Sequence, residues 1–407
     1  MPTTLTRRSF LGCSALSGTA LALAPRLAFA TSGSVDHTLV VLSLRGGLDG
    51  LSAVVPIEAG YYDRRPTIAV AEEALLPLDR GFGLHPSLAP LHDVWTDGRL
   101  SIVPGVGTPT GSRSHFQETD LIELGAGSLG QPRTTGWLGR HLLSRPQAPD
   151  GLPGVALSGS LPMSLAGFPA AAAVGNVGSF AVRGFDWRDR DRVHDTLRSL
   201  HEQGGDDLLA AQALATLDTI ELLEEADPAA IEPGNGAVYP EHHLGRRLRQ
   251  VGQLVRADVG LEVATVDLGG WDTHGDMGSW DGGRMSGMLA GFASSLRAFL
   301  DDVADVIDRV TVVVLSEFGR RVAENDSGGL DHGRGGLLLV AGGGAAGGIH
   351  GDWRGLDESV LDRGDVPTIT DYRAPLTEVV RDLLGNDRPD QIFPGYTPAP
   401  VGAVSVD

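Results

Sequence analysis

Apolar positions along the chain fall into two patterns, and their alternation sets the fold expectation. Short runs rich in β-branched residues, apolar at consecutive positions, occur at 38–44, 100–106, 261–268, 310–315 and 337–341. Such runs suit strands buried on both faces. Between them lie amphipathic segments at 86–95, 206–225, 241–259, 287–306 and 375–384. Strands alternating with helices predict an α/β fold, a three-layer α/β/α sandwich around a mostly parallel central sheet. The middle third breaks the rhythm. From about 144 to 178 the chain is rich in Gly, Pro and Ala, and 186–195 is a dense run of Asp and Arg. An inserted cap over about 144–240 is expected, with turns at Gly204-Gly205 and 233–236. Prolines at 389, 394, 398 and 400 predict a loop-like tail.

The first thirty residues read differently, as a secretory signal. Arg7-Arg8 is followed by Ser9-Phe10-Leu11, a weakly apolar stretch runs to Leu23, and Ala28-Phe29-Ala30 supplies a small-residue cleavage site. The stretch is too short and too diluted by Gly and Ser to span a bilayer stably. Thr6–Leu11 resembles the twin-arginine consensus. Residues 1–30 are therefore expected to engage the twin-arginine translocase, leaving one α/β domain over 31–407 in the periplasm or outside the cell.

Composition narrows the chemistry. Cys13 is the sole cysteine and falls inside the signal, so no disulfide or cysteine nucleophile is available after cleavage. The signal holds three of the 32 basic residues and no acid, so cleavage takes the net charge from −20 to −23. That charge argues against nucleic acid or anionic lipid as a partner. There is no lysine, which excludes Schiff-base chemistry and leaves arginine forks as the only fixed cations.

Ligands in open α/β sheets bind beyond the carboxyl ends of the strands. Here those positions carry Asp49 in Arg45-Gly46-Gly47-Leu48-Asp49-Gly50, Asp272 and His274 in Gly270-Trp271-Asp272-Thr273-His274, and Glu317 in Ser316-Glu317-Phe318-Gly319-Arg320. His332 lies in Asp331-His332-Gly333-Arg334-Gly335, ahead of the fifth run. Each alone is an ordinary turn residue. Together, Asp49, Asp272, His274, Glu317 and His332 form a donor set for one or two divalent ions: zinc, calcium, magnesium or manganese. A second group follows the 100–106 run: Ser112-Arg113-Ser114-His115-Phe116-Gln117. Ser114 can cap the next helix, with Gln117 completing a capping box. In the functional reading Ser114 is a nucleophile or a metal-facing hydroxyl, with Ser112 as second choice. Arg113 and His115 then hold a small anionic substrate.

Arg-Gly-Gly-Leu-Asp-Gly at 45–50, Gly-Leu-His-Pro at 83–86, Ser-Arg-Ser-His-Phe at 112–116, Gly-Trp-Asp-Thr-His at 270–274, Ser-Glu-Phe-Gly-Arg at 316–320 and Asp-His-Gly-Arg-Gly at 331–335 occur in that order. On these motifs the chain resembles the domain-of-unknown-function 1501 family, over about 39–384. That family in turn resembles the alkaline phosphatase and sulfatase superfamily, which implies a sheet between helix layers and metals at strand ends. By that resemblance Asp49 takes the first-strand metal position, Ser114 the nucleophile position, Asp272 and His274 the Asp/His pair, Glu317 the late acid and His332 the last histidine. Two departures stand out: Glu317 is followed by Phe318, so one histidine ligand is absent, and the Cys/Ser-x-Pro-x-Arg sulfatase signature is missing.

The expected function is therefore an exported, metal-dependent hydrolase of phosphate or sulfate esters or a related anionic substrate. Arg45, Arg113, Arg320 and Arg334 are candidates for holding the substrate's oxygens. The alternative is a catalytically silent binding or assembly protein of the same fold. Export is tested by replacing Arg7 and Arg8 with lysine. Precursor should accumulate in the cytoplasm, and normal export of the variant would overturn the signal assignment.

Overall fold

The computed structural model describes residues 36–130, 134–145, 151–182, 189–203 and 207–406. The signal, its Ala30 cleavage site and the Gly204-Gly205 turn lie outside the described residues. Twelve strands are formed among those described: β1 (Thr38–Leu44), β2 (Val54–Pro56), β3 (Leu76–Pro77), β4 (Phe82–Leu84), β5 (Leu100–Gly107), β6 (Gly154–Ala156), β7 (Ala172–Ala173), β8 (Val263–Leu268), β9 (Val310–Leu315), β10 (Gly336–Gly342), β11 (Gly348–Ile349) and β12 (Thr370–Asp371). The main sheet runs β11-β5-β10-β9-β1-β8-β6-β7, with β12 also paired to β5. The remaining three strands form a small antiparallel sheet in the order β2-β4-β3.

The five apolar runs became β1, β5, β8, β9 and β10. β1 sits at the centre, parallel to β8 on one side and β9 on the other, with Leu42 opposite Val266 and Val41 opposite Val313. β10 is antiparallel to both β9 and β5, whereas β6, β7, β11 and β12 pair in parallel. The protein is thus α/β with a mostly parallel, mixed sheet. The reversal of β10 matters for the site, because it brings the start of β10 to the rim where β1, β8 and β9 end.

Successive side chains of a strand point to opposite faces, and β1 divides accordingly. Val40, Leu42 and Leu44 join Leu248, Val251, Phe292 and Leu296 from helices His243–Arg256 and Arg284–Asp302. Leu39 and Val41 join Trp137 and Leu142 from helix Trp137–Leu143, and Leu376 and Val380 from helix Arg373–Glu378 and its π-helical continuation Val379–Leu383. Helices therefore cover both faces. Every one of these β1 residues is buried, each contributing about 1.5–3 kcal/mol by leaving water.

Two expectations need correction. The expected 86–95 helix is a 3-10 segment, Pro86–Leu91, running into helix His92–Thr96, since Pro86 and Pro90 cannot donate to the α ladder. The region 144–240 is not wholly an insertion. It supplies β6 and β7 to the main sheet beyond β8, strands of three and two residues in Gly/Ala sequence, too short to show a periodicity. The helices Arg190–Glu202 and Leu208–Ala226 follow and pack against each other. After the short helix Pro389–Ile392 the tail is irregular, as expected, and is pinned where the Glu378 carboxylate accepts the Val401, Gly402 and Ala403 amides. Among the described residues no helix is long and apolar enough to cross a membrane.

Leu42 is fully buried in the central strand. Leu42→Ala should lower the unfolding free energy by about 2–5 kcal/mol, read from urea denaturation.

Candidate metal centre

The loop after β8 lies against the loop after β1. Gly46, at φ 120°, approaches so closely that a Cβ there would sit 2.5 Å from the Asp272 amide nitrogen. Only glycine fits this approach. Trp271 and Thr273 are buried while Asp272 and His274 face outward, so alternation along this loop delivers both polar side chains to the rim. His332 arrives from the segment ahead of β10, where it forms a backbone bridge with Arg320. His115 opens helix His115–Leu124, reached from the end of β5.

These four side chains converge. The ligand atoms of His115, Asp272 and His332 all lie within 4.8 Å of one another. His332 Nε2 is 3.0 Å from His115 Nε2, 2.8 Å from His274 Nε2 and 3.3 Å from Asp272 Oδ1. Asp272 Oδ1 is 3.1 Å from His274 Nε2 and 3.6 Å from His115 Nε2. Ligands on one zinc ion, at bonds of about 2.0–2.1 Å and tetrahedral angles, lie about 3.3–3.4 Å apart. The separations among His115, Asp272 and His332, 3.0, 3.3 and 3.6 Å, bracket that value.

The outer nitrogens fix the tautomers. His115 Nδ1 donates to Glu317 Oε1 at 2.6 Å, His274 Nδ1 to Asp331 Oδ1 at 3.2 Å, and His332 Nδ1 to the Arg113 carbonyl at 2.8 Å. With each Nδ1–H committed to an oxygen, the His115 and His274 rings each turn Nε2 toward His332 Nε2. Partial burial pushes the Asp272 carboxyl up, but the Arg320 hydrogen bond and charge outweigh it, with help from His274 and His332, and hold it at about 2. Burial lowers His332, and the nearby Arg320 and His115 add to that against the opposing Arg113 carbonyl and Asp272 contacts. Hydrogen bonds from Asn325 and His274 lower Asp331. The carboxylates of Asp272 and Asp331 are thereby favoured as anions, and a positive charge on His332 is disfavoured.

Several expected roles are corrected by this geometry. Asp49 is not among the converging groups: its two oxygens accept from Arg65 Nη1 and Nη2 at 2.6 and 2.9 Å in a fully buried pair. Arg65 also donates to Ser52 Oγ and to the Arg321 and Val322 carbonyls, so Asp49 anchors the framework. Glu317 reaches the cluster only through His115, its Oε1 also accepting the Gly46 amide at 2.8 Å. His115, expected to hold substrate, instead joins the donor set. Arg320 is buried, and each of its three nitrogens donates within the protein, to Asp272 and to the Gly46, Gly47, Trp271 and Leu330 carbonyls, so it serves the framework. Arg45 pairs with Glu123 and Asp267, Arg113 with Asp365, and Arg334 with Asp362. Ser114 stands at the helix N-cap position, but its hydroxyl makes no capping bond; Ser112 Oγ instead accepts the Ser114 amide and donates to Gln117 Oε1. The capping box is therefore not formed.

Sequence reasoning placed Asp272, His274 and His332 together and missed His115 as their fourth member. The signal was present in the Ser-His-Phe step directly after the β5 loop. The Phe318 ring, centred 4.7 Å from that of His115 and 4.8 Å from that of His332, packs beside the cluster.

Fold and site together define an α/β protein with a His/Asp cluster at the carboxyl rim of its sheet. Residues 36–371 match the model of a protein of unknown function, DUF1501, and the chain belongs to that family. No curated protein matches the chain.

Gly46→Ala should both strain a left-handed position and push the Asp272 backbone away. A loss of about 1–3 kcal/mol in stability and of bound metal is expected, read by denaturation and by elemental analysis.

Proposed function

We propose that the chain is an exported, metal-dependent hydrolase of phosphate or sulfate esters or a related anionic substrate, with one ion held by His115, Asp272, His274 and His332. The observation that carries this reading is that the ligand atoms of His115, Asp272 and His332 lie within 4.8 Å of one another, with His274 Nε2 2.8 Å from His332 Nε2 at their edge. Such an array is mutually repulsive until a cation shares it, and the Nδ1–H anchors on Glu317, Asp331 and the Arg113 carbonyl are the outer contacts that metal-bound imidazoles make. Three imidazoles and one carboxylate favour zinc, since calcium and magnesium prefer all-oxygen sets. The position at the carboxyl rim of a mostly parallel sheet supports an alkaline-phosphatase-like fold, and the twin-arginine segment supports export. A divalent ion here would lower the pKa of a water or hydroxyl and polarise an ester. Adjacency in sequence to Arg113, whose carbonyl holds His332, and to His115 supports Ser114 as the candidate nucleophile.

A second reading, a binding or assembly protein without turnover, is favoured by one observation: Arg45, Arg113, Arg320 and Arg334 are all engaged by carboxylates or carbonyls of the protein itself. Turnover separates the two.

Protein purified from its exported fraction should contain about one divalent ion per chain. His274→Ala should lose the ion while staying folded, because the side chain is half exposed and fills no core volume. Ser114→Ala should keep the ion and lose hydrolysis of aryl phosphates or sulfates. Absence of stoichiometric metal would sink the proposal, and metal without turnover would favour the second reading. Acidification should release the ion as protons occupy the imidazole lone pairs. Asp272, held at about 2, stays ionised while the imidazoles titrate.

A further inference from the structure

Three arginines beside the cluster converge on one two-residue turn. Asp362 and Asp365 exchange backbone hydrogen bonds of 3.0 and 3.2 Å around Arg363 and Gly364, whose φ values of 54° and 86° are both left-handed. A turn of this kind is tight, and it holds Arg363 in a region that non-glycine residues avoid. Its two carboxylates face the arginines: Asp362 pairs with Arg334, Asp365 pairs with Arg113, and Arg321 Nε lies 3.3 Å from the second Asp365 oxygen. Arg321 Nη2 also donates to the Arg363 carbonyl at 2.5 Å.

Each of these arginines belongs to a segment that builds the cluster. Arg113 is two residues before His115, and its carbonyl orients His332. Arg334 is two residues after His332, and Arg321 follows the Arg320 that holds Asp272. The Arg334 guanidinium lies flat over Gly111, where a Cβ would come within 2.5–2.9 Å of its Nη2, Cζ and Nε atoms. Its Nε is buried without a hydrogen-bond partner. A planar cation is thus seated in a glycine cradle with an unspent donor and one carboxylate opposite it.

We infer that Arg113 and Arg334 form an oxyanion subsite beside the cluster, and that the Asp362–Asp365 turn is a built-in competitor that occupies it until a phosphate or sulfate group displaces Asp362. Asp365 is fully buried, whereas the Asp362 side chain is 31% exposed, so Asp362 is the arm free to leave. A tetrahedral dianion offers the Arg334 fork more charge and more oxygens than the departing carboxylate does, and Arg113, 39% exposed and bonded to Asp365 through Nη2, has further donors to add. The inference rests on the anionic-substrate reading above and supplies its regulation: access to the site is set by exchange of one anion for another.

Calorimetric titration of the full mature chain with inorganic phosphate, metal-stripped and metal-loaded, tests the subsite. Asp362→Asn should bind phosphate at least about tenfold more tightly than the native chain, since the competing charge is gone. Adding Arg334→Gln should remove the gain. Asp362→Ser serves as a second variant where the amide fails to fold. Unchanged or weaker phosphate binding in a folded variant overturns the inference, and so does failure of both variants to fold, which would make the turn part of the framework. A gain in metal-stripped protein upholds the subsite even where the native chain carries no metal, an outcome that would sink the hydrolase reading alone.

Discussion

The buried guanidinium of Arg320 is the constraint on which the rim depends. Its donors go to the Gly46 and Gly47 carbonyls after β1, the Trp271 carbonyl and Asp272 carboxylate after β8, and the Leu330 carbonyl ahead of β10. One cation thereby satisfies backbone acceptors from three loops that have no strand ladder to satisfy them. Loops usually avoid burial because their polar groups cannot be paired there. Here a single planar fork supplies the pairing, and removing it would leave several carbonyls and an unbalanced carboxylate.

Around that fork the structure sorts similar residues into different tasks. Asp49 and Asp272 both follow a strand, yet Asp49 is closed into a bidentate pair with Arg65 while Asp272 stays half exposed with one oxygen among the imidazoles. Glu317 is buried and spends its carboxylate on His115, the Gly46 amide and the Ser316 hydroxyl. The aromatic ring of Phe318 closes the space beside it.

The central sheet was legible because its strands are long apolar runs, and β1, β8 and β9 fall where hydrophobic pattern alone puts them. β6 and β7 were not, since strands of two and three small residues carry no periodic signal. The reversal of β10 could not be read from the sequence either: an apolar run looks the same in either direction. Of the site, Asp272, His274 and His332 were readable as polar groups at strand ends. The error at Asp49 has a plain cause. Its partner Arg65 is sixteen residues away in an unrelated segment, and nothing local distinguishes a carboxylate about to be paired from one left open. His115 escaped because a histidine inside Ser-Arg-Ser-His looks like a substrate contact. Only the placement of Glu317 on its Nδ1 shows which way the ring faces.

The reversed β10 also bears on how the cluster assembles. His115 and His332 are 217 positions apart, and β10, which follows His332, pairs with both β5 and β9 in the sheet that brings them together. Contacts of such sequence separation form late, after the entropy of closing long loops has been overcome. Donors so far apart in sequence meet only in the folded sheet, so an ion held there would bind that sheet and not the unfolded chain. Its binding energy would then oppose global opening of the domain while doing little for local fraying. In that sense the rim would act as a fastener applied last, one whose loss would show as faster unfolding of the entire sheet.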